Sequence, residues 1–433
     1  MGRAASGDEL LNEAAQTRGQ GGSGVKKTAG CIVFEGAGAE GLSPLTRARA
    51  VYEIRVGPET ILERLERLLR HRATGLCARP ALAAATATRD PRPINPPVRA
   101  GDRVINAGWR PDGRVVLPRD VHAAHCDGEL AHARLDDRAA SEFNKIIAEG
   151  RVEALMHAVA HLPRTEAAGR MIRHPWDMTA RLKRDLIEAM SSGRRRPPAR
   201  SRRGVTIVKP ARAHVAADCA FQGPCTLDAT DGPILIERGV RIGAYAVIEG
   251  PAYIGRDTRI NPHTWLHGAN AVGPVCKLGG EIDGCIFEGF SNKQHAGFLG
   301  HSWIGSWVNL GAGTTNSDLK NTYGTVRVRR GGDEIDTGQM FFGALIADHV
   351  KTGIGTLLPT GAVLDFAAVA AIGGVLPSYV PPFSWLTGDG VRAGDPQKLL
   401  DVARKMMSRR GIEMSEADAT VFLRVAGECA ARR

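Results

Sequence analysis

The chain has 433 residues, 43% hydrophobic and 24% charged, with a formal net charge of +11. This is a globular, soluble composition with length for two or three domains, and no apolar run approaches the roughly 18 residues of a membrane span. The excess charge suits anionic small molecules such as phosphorylated sugars, nucleotides or coenzyme A. A nucleic-acid surface is not expected, because the basic runs carry no neighbouring aromatics.

Residues 1–28 are polar and Gly-rich and read as a disordered tail without the apolar core of a secretory signal. Met1-Gly2 with Ser6 also matches a myristoylation pattern, for which an unprocessed tail is the simpler account. Residues 30–190 read as a mixed α/β domain. Cys31-Ile32-Val33-Phe34-Glu35 is the first expected strand, and Pro58 is expected to open a helix with Ile61, Leu62, Leu65, Leu68 and Leu69 on one face. Val104-Ile105-Asn106 and Arg114-Val115-Val116-Leu117 are further strand candidates. Helices are expected between Ser141 and His161, interrupted near Gly150, and again after His174-Pro175-Trp176-Asp177.

Gly36-Ala37-Gly38-Ala39-Glu40-Gly41 spells a dinucleotide fingerprint, but that reading needs a helix to open there, and Pro44 opposes one. A Gly-rich loop with Arg47, Arg49 and Arg55 after it still suits a nucleotide phosphate; a surface loop with arginines is the plainer alternative. Residues 191–203, with Arg194-Arg195-Arg196-Pro197-Pro198, read as a linker.

From Ile236 to Leu278 an aliphatic residue recurs at every sixth position: Ile236, Ile242, Ile248, Ile254, Ile260, Leu266, Val272, Leu278. Helices repeat at 3.6 residues and strands at 2, whereas hexads build a parallel β-helix. The coil is expected over 204–385. Ile207, Ala213, Cys219 and Cys225 precede the main set, with a loop at 228–232. Phe298, Ile304 and Leu310 resume it, and after an excursion over 316–338 the last set is read as Phe342, Asp348, Ile354, Thr360, Phe366 and Ile372. Glycines following many anchors supply positive φ or close backbone approach. Residues 396–427 are expected to form two helices, the second capped by Ser415 with Asp418.

Eight cysteines lack any Cys-x-x-Cys spacing, which points to packing and a reduced, cytoplasmic setting. His263 and His267 stand four apart but not on a helix, so no metal site is expected there. His295 is different. It lies in Ser291-Asn292-Lys293-Gln294-His295-Ala296-Gly297-Phe298, where the aliphatic period lapses, and is a suitable proton acceptor near neutral pH; a solvated loop histidine is the alternative. On the next coil, Asn309-Leu310-Gly311-Ala312-Gly313 leaves backbone groups open to a ligand. The arm from Asp318 through Lys320 to Tyr323 offers polar groups that could reach a neighbouring subunit.

Ser43–Gly57, Ile105-Asn106, His174–Asp177, Gly289–His295, Phe298–Gly300, Ile304-Gly305, Asn309–Ala312 and Leu319–Gly324 together resemble the GlmU-type sugar nucleotidyltransferase family, relatives of the bifunctional enzyme that makes UDP-N-acetylglucosamine. The resemblance implies a shortened nucleotidyltransferase-like domain plus a left-handed β-helix that trimerises and uses acetyl-CoA or another acyl-CoA as cosubstrate. It implies acyl transfer to an amino group of a phosphorylated or nucleotide-linked sugar, with His295 as base. Asn292, Lys293, Phe298, Asn309, Asn316, Lys320 and Tyr323 would line the acceptor site, and Ala312 and Gly313 would meet the acyl-CoA. Arg47, Arg49, Arg55 and Asn106 would contact a nucleotide or phosphate. Phe298 stands where the family has a tyrosine, and Asp318 near its amine-placing asparagine. The first domain lacks the Gly-x-Gly-Thr-Arg loop and Pro-Lys pair of nucleotidyltransferases, so magnesium is expected only if that domain is active. The alternatives are a nucleotidyltransferase making NDP-sugar from NTP and sugar 1-phosphate, and a non-catalytic trimeric binder of sugar nucleotides.

Overall fold

A computed structural model describes residues 29–192, 197–200 and 202–431. The tail over 1–28 and part of the Arg/Pro linker lie outside the described residues.

The first domain contains β1 (Cys31–Phe34), α1 (Ile61–Leu69), β2 (Gly75–Cys77), α2 (Pro80–Arg89), β3 (Arg103–Asn106), β4 (Trp109–Arg110), β5 (His122–Cys126) and β6 (Glu129–Arg134). α3 (Asp137–Glu149), α4 (Leu155–Ala158), β7 (Arg164–Glu166), β8 (Arg170–Met171), α5 (Pro175–Thr179) and α6 (Leu182–Ser192) complete it. The main sheet has the order β2-β1-β3-β6-β5-β7. Alternation along β1 splits its side chains between two cores. Ile32 and Phe34 pack under α3 and α4. Cys31 and Val33 belong to a second core that runs without a break into the coil.

Local chemistry sets the element ends. α1 starts at Ile61 rather than at Pro58, because Thr60 accepts from the Glu63 amide and the Glu63 carboxylate caps the Thr60 amide. Gly150 ends α3 at φ 70°. Residues 114–117 are not a strand; Val115 instead donates to the Leu68 carbonyl at 3.1 Å. No helix follows the Gly-rich loop, which makes one short 3₁₀ turn over Ala37–Ala39.

The second domain is a parallel β-solenoid with one wall of nine strands. Its inward column on that wall is Ile236, Ile254, Val272, Phe287, Ile304, Ile346, Leu364 and Val380. The second wall stacks Ile242, Ile260, Leu278 and Lys293, and the third Leu227, Ile248, Leu266, Ile282 and Leu299.

Three expectations are corrected here. The anchor of the coil after Leu278 is Lys293, so the aliphatic period lapses because a lysine occupies the inward place. Leu299, not Phe298, is the next inward residue. After the excursion the inward residues are Ile346, Thr352, Leu358, Leu364 and Ala370, two positions before those expected; Asp348 faces outward and Ile354 is 78% exposed.

The anchor-following glycines serve close approach more than positive φ. A Cβ on Gly273 would sit 2.0 Å from the Glu288 carbonyl oxygen, while the left-handed corner is taken by Val275 at φ 60°. None of the eight cysteines forms a disulfide, and all are buried.

α7 (Pro396–Ser408) and α8 (Glu416–Ala431) close the chain, with Ser415 Oγ accepting from the Asp418 amide at 3.0 Å. Phe422 of α8 packs edge-on against Phe366, Phe383 and the His349 imidazole. Burial, reinforced by Lys351, pushes that imidazole from 6.5 down to about 3. Between those values the unfolded chain binds a proton that the folded chain refuses. The contribution of His349 to stability is therefore complete above pH 6.5 and is lost progressively as the pH falls toward 3. Urea denaturation of His349→Asn and the parent should show the parent losing about 2 kcal/mol more between pH 7 and pH 5.

The two domains are clamped by ion pairs. Arg47 grips Asp365 through two bonds of 2.6 Å, and Arg49 lies 2.6 Å from Asp348 and 2.9 Å from Glu288. The arm over 317–343 contains a two-stranded hairpin of Arg327–Arg330 and Asp333–Asp336. It folds back onto its own first domain: Arg330 donates to the Gly41 carbonyl, and Gln339 to that of Trp176 at 2.7 Å. No helix among the described residues is long and apolar enough to cross a membrane.

Candidate functional site

The coil corner after Lys293 carries Gln294, His295, Ala296 and Gly297, with His295 exposed. A bridge pairs Asn292 with Asn309 on the next coil, and the same step carries 295 onto 312. His295, Ala312 and Gly313 therefore lie on one outer corner of adjacent turns. The corner is built from small residues because the backbones touch. A Cβ on Gly311 would meet the Gly353 carbonyl at 2.2 Å, and one on Gly297 would meet that of Thr314 at 2.3 Å.

Lys293 does not face a ligand. Its side chain is inside the coil, 1% exposed, and its ammonium donates to the carbonyls of His295 at 2.6 Å and Gly279 at 2.9 Å. Burial brings its pKa down to about 8. The lysine thus secures the corner that bears His295 from within. Lys293→Met keeps the length of the buried stem but leaves the Gly279 and His295 carbonyls without their donor, and is expected to cost about 1–3 kcal/mol. Lys293→Ala opens a cavity and should cost about 2–5 kcal/mol, which thermal unfolding of the pair will rank.

Other expected acceptor contacts are also spoken for. Asn292 donates to Asn309 Oδ1 at 3.0 Å, and Arg410, just beyond α7, donates to Asn292 Oδ1 at 2.6 Å. The buried Asn316 amide holds both backbone groups of Gly300. Phe298 faces outward and half-buried, with its ring over Gly300. Tyr323 is 68% exposed. Lys320 donates to the Thr325 carbonyl and lines a cleft of about 530 Å³ with Arg327 and Arg329, a setting that still suits a phosphate.

The phosphate groups expected on the first domain are corrected. Arg47 and Arg49 are neutralised by the coil carboxylates described above. Arg55 donates its amide to Glu288 and its guanidinium to the Pro58 carbonyl. Asn106 is buried, donating to the Leu130 carbonyl and accepting from the Gly108 amide. His263 stacks on Tyr245, whereas His267 stacks on Trp265 and meets Glu281 at 3.1 Å, so the two histidines serve different neighbours.

A second histidine site is unforeseen. At the other end of the wall from His295, His301 Nδ1 lies 2.7 Å from Asp318 Oδ2, with the Phe341 ring 5.3 Å away. Burial opposes its charge, but the Asp318 hydrogen bond and the charges of Asp283 and Asp318 outweigh this and raise its pKa. The ligand atoms of Asp283, His301 and Asp318 lie within 4.8 Å of one another, a spacing one divalent ion could use. The signal was present in the sequence, since the step that joins 292 to 309 also carries 301 onto 318.

Residues 31–194 match the family described as sugar nucleotidyl transferase, and residues 233–268 match the bacterial transferase hexapeptide repeats. The chain thus joins an α/β domain that matches the sugar nucleotidyl transferase model to a parallel β-solenoid that matches the hexapeptide model in part, followed by two C-terminal helices. The bifunctional protein GlmU of Burkholderia vietnamiensis is 32% identical over 147 residues, covering 28% of this chain and 32% of that one. A bifunctional sugar-1-phosphate nucleotidylyltransferase/acetyltransferase of Sulfurisphaera tokodaii is 36% identical over 132 residues, 30% of this chain and 33% of that one. The chain spans about a third of the length of these relatives. Among solved structures, the UDP-N-acetylglucosamine acyltransferase of Francisella novicida aligns over 49% of this chain and 71% of its own at 12% identity, with a TM-score of 0.22, too low to bear on function.

Proposed function

We propose that the coil transfers an acyl group from acyl-CoA to an amino group on a phosphorylated or nucleotide-linked sugar. The observation that carries this reading is the shared corner of His295, Ala312 and Gly313, an exposed imidazole beside small residues on the adjoining coil. His295 accepts a proton from the amine as its nitrogen attacks the thioester carbon. The new C–N bond forms, the C–S bond breaks, and the departing thiolate is protonated to the free thiol. Backbone amides near Ala312 stabilise the oxyanion, an effect worth ~3–4 kcal/mol in such sites. Lys320 and its cleft bind the phosphate. A homotrimer would set this corner against a second copy of the chain.

The test is a screen of aminosugar phosphates and UDP-aminosugars with acetyl-CoA, read as free thiol. Acceptor-dependent thiol release is expected. A second reading, nucleotidyl transfer by the first domain, draws on the family match over residues 31–194. Pyrophosphate release from NTP and sugar 1-phosphate, without CoA dependence, would favour it over acyl transfer. Thermal shifts with no product in either assay would leave a binding protein.

A further inference from the structure

The first domain holds a cation-rich cleft of about 800 Å³ between the last turn of α1 and α6. Arg67, Arg70, Arg114, Lys183 and Arg184 line it, against only Asp112 and Glu188. Arg67 is already paired with Glu59 at 2.7 Å. Leu68 and Ile187 give the cleft an apolar strip. It is a different place from the Gly-rich loop. That loop follows the C-terminal end of β1, whereas α1 ends by leading into the N-terminal end of the parallel strand β2.

The charge excess extends beneath the cleft. Arg64 and Arg110 are buried, with side chains 6% and 7% exposed, and both converge on the single oxygen Oδ1 of Asp185. Two buried guanidinium groups thus share one carboxylate. Glu188, the other acid in reach of Arg64, lies at 3.5 Å and also faces Arg67. The Nε of Arg64 is buried without a hydrogen-bond partner, as is that of Arg181. Stacking like charges at such density is unfavourable unless an anion offsets it. Burial, together with neighbouring arginines, holds the pKa of Arg110 down to about 9 and lowers those of Arg64 and Arg181.

We propose that this cleft binds a nucleoside polyphosphate, with the phosphates against Arg70, Arg114, Lys183 and Arg184 and the base on Leu68 and Ile187. The cavity volume lies within the range of small-ligand sites, and cations around an apolar strip match a ligand with one charged and one flat apolar end. The proposal stands apart from acyl transfer by the coil, and neither depends on the other.

Calorimetric titration of the full chain with ATP and UTP tests it. Saturable binding is expected, weakened at least tenfold in Lys183→Glu/Arg184→Glu, whose side chains are exposed and free to change without disturbing the core. Arg241→Glu/Arg259→Glu, two exposed positions stacked in register on the coil, makes the same charge change elsewhere and should leave binding intact. ATP should also slow amide exchange in α6. Absence of saturable binding below millimolar concentration, equal loss in both double variants, or binding untouched by the α6 variant overturns the proposal. Pyrophosphate competing as well as ATP overturns the nucleoside assignment.

Discussion

Replacing Arg49 with alanine is expected to cost about 3–5 kcal/mol of stability, because it breaks a buried charge cluster by removing its one cation. Its guanidinium is held between Asp348 and Glu288, and the three side chains are only 11%, 11% and 5% exposed. Desolvation already raises the Glu288 pKa, and Arg49 is the first charge that counters it. Without Arg49, two carboxylates face each other in a seam closed to water, and the cheaper outcome is protonation of one. The folded pKa of Glu288 then stands further above its unfolded value. The folded state is accordingly favoured at low pH and penalised as the pH rises through that value. Urea denaturation should show the deficit of Arg49→Ala at pH 7 shrinking at pH 5. Arg49→Met/Glu288→Gln/Asp348→Asn should recover most of the loss, because it removes the buried charges together. A deficit below about 1 kcal/mol at pH 7 would falsify the clamp.

The clamp also shows why part of the molecule resisted reading from sequence. Arg47, Arg49 and Arg55 look like phosphate ligands because they follow a Gly-rich loop. Their partners Asp365, Asp348 and Glu288 lie some 230 to 320 positions away in sequence, and nothing local announces them. The coil itself was legible because each hexad repeats the same local demand, an apolar residue inward and a small one at the corner. That legibility failed where the demand was met by an unusual residue. Lys293 fills an inward place with its aliphatic stem and spends its ammonium on two carbonyls, so it reads as an exposed ligand group when it is buried. After the arm the register moved by two residues, since an excursion of that length carries no memory of which face points inward. In the first domain, β5 and β6 were missed. Their sequences, His122–Cys126 and Glu129–Arg134, are rich in Ala and His, which have little strand preference, and are buried by neighbours rather than by pattern.

The candidate site was half legible for the same reason. His295 and Ala312 are joined by the step between adjacent coils, and that step was visible in the hexads. The polar residues around them were assigned to substrate by type alone, but Asn292, Asn309 and Asn316 use their amides on one another, on Arg410 and on backbone. Amides at coil edges satisfy neighbouring turns before they meet a ligand, because unpaired polar groups there are costly.

His295→Ala is expected to lower kcat for acyl transfer by about 10²–10⁴, the usual contribution of a positioned general base. Stability should move by less than about 0.5 kcal/mol, because the side chain is exposed. That separation of activity from stability is what marks a catalytic group rather than a supporting one. The rival is His301, oriented by Asp318 and charged over a wider pH range than a free imidazole. It stands at the opposite end of the wall from Ala312, so it cannot serve a thioester held at the His295 corner of the same chain. His301→Gln should therefore weaken the contact that ties the arm to the coil, raising KM for the phosphorylated acceptor through the Lys320 cleft while leaving kcat within a few fold. If instead His301→Gln abolishes turnover with native stability and His295→Ala does not, the proton is taken at the Asp318 end, and the acyl donor must be held there too.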